Sequence, residues 1–130
     1  MIRRMKRRVP AKATTRKPQP THDPAYLGWV RTQPCAVCHC VHGRIVEGVY
    51  YPVESAHTKT MGIGGMSRKS PDRSVIPLCG WCHRQSPTSY HRLQPEPIWA
   101  EHHDLDLGLL VAGLNVAYNV IESRRIARQA

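Results

Sequence analysis

Two Cys-x-x-Cys pairs, Cys35 with Cys38 in PCAVC and Cys79 with Cys82 in PLCGWCH, frame the middle of the chain. A two-residue spacer lets both sulfurs of a pair reach one metal, and four thiolates satisfy a tetrahedral zinc ion. Forty residues lie between Cys38 and Cys79, too many for a single finger, so such a clasp has to close over an intervening hairpin. Cys40, His39 and His42 are close enough to Cys38 to compete as ligands. None repeats the two-residue spacing, and they rank below the four.

The need for a clasp follows from size. A chain of 130 residues with 11 prolines, nine glycines and no Phe is one domain with a modest apolar core. Metal binding then contributes stability that burial does not. The five cysteines are an odd number for a disulfide framework, and the basic N-terminus lacks the apolar run of a signal peptide. Zinc-bound thiolates in a reducing cytoplasm are the better account. No stretch approaches the ~20 apolar residues of a membrane span. The most apolar one, Leu107 to Val120, is interrupted by Gly108, Gly113 and Asn115.

The net charge of +10 is unevenly spread. Arg3, Arg4, Lys6, Arg7, Arg8, Lys12, Arg16 and Lys17 precede the first acid, Asp23, and prolines punctuate the run. Residues 1–20 therefore read as a disordered basic arm, of the kind that binds phosphate backbones by counterion release. Beyond them, Asp23-Pro24 reads as a helix N-cap with proline at the first helical position. That helix carries Tyr26, Leu27, Trp29 and Val30 into the core and stops before Pro34. Residues 44–57 are rich in Val, Ile and Tyr and predict two short strands or one bent strand. Residues 58–71 form a Gly-rich basic loop with Lys59, Arg68 and Lys69. It lacks the phosphate-loop pattern and reads either as an ordinary flexible connector or, the favoured reading, as a set of cations that contact a polyanion backbone. Val75 to Leu78 is a strand delivering Cys79, and a helix from about Trp81 presents His83. After Pro95 and Pro97, one or two helices run to about Arg128, with Leu105, Leu109, Ala112, Val116, Val120 and Ile121 forming a stripe.

The histidines are more numerous than a zinc clasp requires. His57 ends the strand segment ESAH, His83 follows Cys82 directly, and His91 lies eight residues further on. Strand, loop, strand and helix pinned by zinc would bring His57 opposite His83. His22, His102 and His103 belong to no pattern and read as surface or capping residues.

The ordered set is SAH at 55–57, a Gly-rich loop, K-x-x-D at Lys69 to Asp72, IPLCxxCH at 76–83, and His91. Over about residues 23–95 it resembles the HNH endonuclease family, whose ββα-metal unit is often stapled by two Cys-x-x-Cys knuckles. The DPAYLGWVRTQPCAVC lead at 23–38 resembles a phage- and prophage-encoded branch that includes recombinase-dependent recombination-enhancement nucleases. The resemblance implies a base histidine on the first strand, here His57, and a metal-binding histidine on the helix, here His83. His91 is the next ligand. Asp72 either binds the metal, orients a histidine, or is a turn residue after Pro71. Two departures stand out. Ala56 and Thr58 flank His57 where many members carry a second ligand, so Asp72, His91 or Glu54 has to cover that role. Ser74 occupies the position of the family's middle asparagine.

Phosphodiester hydrolysis needs a deprotonated water and a cation that stabilises the charged transition state. A histidine with pKa near ~6.5 can take that proton at neutral pH. The expectation is an α+β fold with a zinc-stapled core over residues 21–95, a basic arm over 1–20 and a helical extension over 96–130. It would cleave DNA with Mg²⁺ or Mn²⁺ inside a bacterial host, with a role in phage recombination and a recombinase filament as a partner. The rival expectation is a zinc-stabilised DNA-binding or assembly accessory protein without catalysis.

Overall fold

The structure is a computed structural model and describes residues 22–59 and 71–129. The basic arm over 1–20 lies outside the described residues, as do Arg68 and Lys69 of the Gly-rich loop. Six elements follow in order: α1 (Pro24–Val30), β1 (Gly43–Val46), β2 (Val49–His57), β3 (Val75–Cys79), α2 (Glu96–His102) and α3 (Leu107–Gln129). A 3-10 turn, Asp72–Ser74, leads into β3, and a five-residue π turn, Trp81–Gln85, leaves it. The fold is α+β.

Local chemistry explains the first half. Asp23 caps α1, its Oδ1 accepting from the Tyr26 N–H at 3.2 Å, and Pro24 opens the helix. Tyr26 and Val30 are buried, with Leu27 and Trp29 packed against them. Segment 44–57 forms two strands, because Glu47 and Gly48 both take positive φ (51° and 80°) and close a two-residue hairpin. β1, β2 and β3 form an antiparallel sheet in that order, β2 pairing with β3 from Val53 opposite Cys79 to His57 opposite Val75. Every residue of β3 is buried, although β3 is an outer strand of the sheet.

The C-terminal segment joins the same core. Trp99 of α2 and Val111 of α3 are fully buried beside Val53, Ile76, Leu78 and Cys79. Two helices form after Pro95, and their buried face differs from the expected stripe. Leu107, Val111 and Tyr118 face inward, whereas Leu109, Val116, Val120 and Ile121 are exposed. Among the described residues no single helix is long and apolar enough to cross a membrane.

Candidate metal centre

The first cysteine knuckle is a closed loop. The Cys35 N–H donates to Cys40 O at 3.0 Å, and the His39 N–H donates to Cys35 O at 2.9 Å. His39 takes a φ of 63°, which turns the chain so that Cys40 comes back beside Cys35 and Cys38. The Ala36 N–H donates to Pro77 O at 2.8 Å, docking the knuckle on β3 two residues before Cys79. The sulfurs of Cys35, Cys38, Cys40 and Cys79 all lie within 4.8 Å of one another. A tetrahedral set with Zn–S bonds of about 2.3 Å has sulfurs about 3.8 Å apart. Cys38 Sγ and Cys79 Sγ are 3.7 Å apart.

Four close cysteines that can hold an ion such as zinc are therefore present, but their identities differ from the spacing-based set. Cys40 joins the mutual group, while Cys82 lies against Cys35 and Cys79. Five thiols converge. Hydrogen bonds from Cys79 and Cys82 pull Cys35 far below the ordinary thiol range, and the bond to Cys35 pushes Cys82 far above it. Sulfurs this close cannot all carry charge unless a cation sits among them, so the donor set fits zinc. Arg44 adds a positive charge at the rim. Slight burial lowers its pKa, but the hydrogen bond to Cys38 and the surrounding sulfurs raise it on balance. His39 and His42 are exposed and stand outside the sulfur group.

The second histidine group is built on the π turn. The Tyr90 N–H donates to Cys82 O and the His91 N–H to His83 O, both at 3.0 Å, so the returning chain runs alongside residues 82–83. This sets His91 Nε2 at 3.1 Å from His83 Nε2. On the other side of the ring, His83 Nδ1 lies 3.0 Å from Glu54 Oε1. The carboxylate accepts, so Nδ1 carries the proton and Nε2 presents its lone pair. Burial lowers the His83 pKa despite the opposing pull of Glu54, which keeps the ring neutral. Two imidazoles sharing a cation at ~2.05 Å per bond have nitrogens about 2.9–3.4 Å apart, and this pair falls in that range. Arg84 grips the same carboxylate, with Nε at 3.1 Å from Oε1 and one terminal nitrogen at 2.9 Å from Oε2.

His57 belongs elsewhere. Its Nε2 is 2.9 Å from Asp72 Oδ1, and Asp72 Oδ2 accepts from the Asp23 N–H at 2.7 Å. Burial would raise the Asp72 pKa, but the hydrogen bonds from His57 and the Asp23 N–H outweigh it and lower it. Asp72 thus sits in the 3-10 turn after Pro71 and also orients a histidine. His57 and His83, expected to face one another, have separate partners: Asp72 for His57, Glu54 and His91 for His83. Glu54 and His57 are three residues apart on a regular strand, so their side chains leave β2 on opposite faces. One histidine group is tied to α1 through Asp72, the other to the π turn through Glu54.

The remaining residues have structural places. Ser74 Oγ donates to Pro71 O at 2.7 Å, and Thr58 Oγ1 donates to Ser74 O at 2.6 Å, closing the base of the Gly-rich loop. Lys59 is exposed, with its backbone N–H donating to Glu96 at 2.8 Å. Nε2 of His103 bonds Thr88 O at 2.8 Å, and the His22 side chain is 89% exposed. Arg44 and Arg84 were not singled out from the sequence; Arg84 could have been found from its position beside His83.

No curated protein and no solved structure matches the chain. A family model described as Protein of unknown function (DUF968) matches residues 9–120, and the chain belongs to that family.

Proposed function

We propose that this protein is a metal-dependent endonuclease of the HNH type, with its divalent cation held by His83 and His91. The observation that carries the reading is the Nε2–Nε2 separation of 3.1 Å, with the His83 tautomer fixed by Glu54. Mg²⁺ or Mn²⁺ bound there would supply Lewis-acid stabilisation of the phosphorane-like charge and the departing oxygen. Around it, Glu54 holds His83 in its ligating orientation. Arg84, about half exposed, turns a guanidinium toward the same region, where it can meet a phosphate oxygen. The net charge of +10 favours a polyanionic substrate, with Lys59, Arg68, Lys69 and the arm residues Arg3, Arg4, Lys6, Arg7 and Arg8 as its backbone contacts. The resemblance supplies DNA as that polyanion. It also supplies a setting in phage recombination, with a bacterial recombinase filament as a partner.

His57 keeps the base role that the resemblance gives it only if substrate spans the end of β2 to reach both faces. Asp72 holds its Nε2, which leaves Nδ1 as the proton acceptor. The placement of His57 on the face away from Glu54 favours a second reading, a zinc-stabilised DNA-binding protein without catalysis. Plasmid nicking in Mg²⁺ or Mn²⁺ separates the two. The nuclease reading expects nicking by the wild type and its loss in His83→Ala at unchanged zinc content. Wild-type protein that binds plasmid but leaves it intact in either cation leaves the binding reading standing. His57→Ala decides the base: retained cleavage removes His57 from the chemistry.

A further inference from the structure

We propose that the zinc clasp has a shared fourth position: Cys35, Cys38 and Cys79 are permanent ligands, and Cys40 and Cys82 alternate in the remaining place. The proposal is independent of nuclease activity. It rests on five sulfurs converging where a tetrahedral ion accepts four.

Cys40 is in the set of mutual neighbours with Cys35, Cys38 and Cys79, all within 4.8 Å. Its thiol touches Cys38 and Cys79. Cys82 stands outside that set but touches Cys35 and Cys79. Cys40 therefore neighbours all three permanent ligands and Cys82 neighbours Cys35 and Cys79, which the two competing sulfurs have in common. Chain geometry favours neither outright. Cys40 is delivered by a loop already closed by the Cys35–Cys40 backbone bond, whereas Cys82 has the two-residue spacing from Cys79 that suits a shared ion. Exchange is proton-neutral: one sulfur binds as a thiolate and releases its proton, and the departing sulfur takes one up. Because Cys82 precedes His83, the occupant of the fourth position decides whether the turn bearing His83 is tied directly to the ion.

The test uses the full chain with Co²⁺ in place of zinc, together with zinc affinity from chelator competition. Cys40→Ala and Cys82→Ala should each keep one ion per chain, a four-sulfur tetrahedral Co²⁺ spectrum, and an affinity within about tenfold of wild type. Cys35→Ala, Cys38→Ala, Cys79→Ala and the double variant Cys40→Ala/Cys82→Ala should each lose the four-sulfur spectrum and at least about 100-fold in affinity. A four-sulfur spectrum lost in only one of Cys40→Ala and Cys82→Ala would overturn the proposal, since the fourth ligand would then be fixed. Should a variant fail to fold, ¹¹³Cd-substituted wild type decides. Scalar coupling from cadmium to the Hβ protons of all five cysteines, reduced at Cys40 and Cys82, supports exchange. Coupling to only four cysteines contradicts it.

Discussion

Glu54→Ala separates a metal-orienting carboxylate from an ordinary surface ion pair. Glu54 accepts from His83 Nδ1 at 3.0 Å and from Arg84 at 2.9 and 3.1 Å. The arginine half is exposed, with Arg84 at 51% and Glu54 at 29%, so its loss should cost only about 0–1 kcal/mol of folding stability. The histidine half governs which ring nitrogen is free. Losing the partner that orients a ligating histidine typically weakens metal binding about 10–100-fold, or about 1.4–2.8 kcal/mol. Titrating zinc-loaded protein with Mn²⁺, and reading free Mn²⁺ by electron paramagnetic resonance, should show that loss in Glu54→Ala. Arg84→Ala, which leaves the acceptor on Nδ1, should stay within about threefold of wild type. The reasoning fails if Glu54→Ala binds Mn²⁺ like wild type, or if Arg84→Ala loses as much.

Three further outcomes follow from the packing and charges. Trp99→Ala empties a fully buried site packed edge-to-face against Tyr90 at 5.0 Å, and should cost about 3–5 kcal/mol in urea unfolding at saturating zinc. His83 has a lowered pKa in the fold, so the unfolded chain binds its proton first. Its contribution is complete above pH ~6.5 and declines as pH falls through that value, so thermal midpoints should drop between pH 7.5 and 5.5 and drop less in His83→Gln. Removing residues 1–20 should weaken DNA binding and flatten log K against log salt by ~0.9 for each arm charge that meets a phosphate, with zinc content unchanged.

The features legible in the sequence were those fixed by short-range chemistry. Asp23-Pro24 announced α1 because capping and proline geometry act within one turn. The hairpin and β3 could be read from β-branched runs and Gly48, and the cysteine clasp from its spacing. Spacing alone ranks Cys40 below the paired cysteines, because its ligand geometry depends on His39 taking a left-handed φ and on the bond between Cys35 and Cys40. The separation of His57 from Glu54 and His83 was available in principle from the two-residue period of a strand. The buried face of α3 is not legible in the sequence, because Leu109, Val116 and Val120 repeat as regularly as Val111 and Tyr118 and the position of α1 and β3 selects between them.

The measurement closest to the central claim is the nitrogen coordination of Mn²⁺ bound to zinc-loaded protein, read by electron spin-echo modulation. Coupling to two imidazole nitrogens in wild type, falling to one in His83→Ala and in His91→Ala and unchanged in His57→Ala, is the expected pattern. Bound Mn²⁺ with no imidazole coupling, or coupling that disappears in His57→Ala, would contradict a cation centre at His83 and His91.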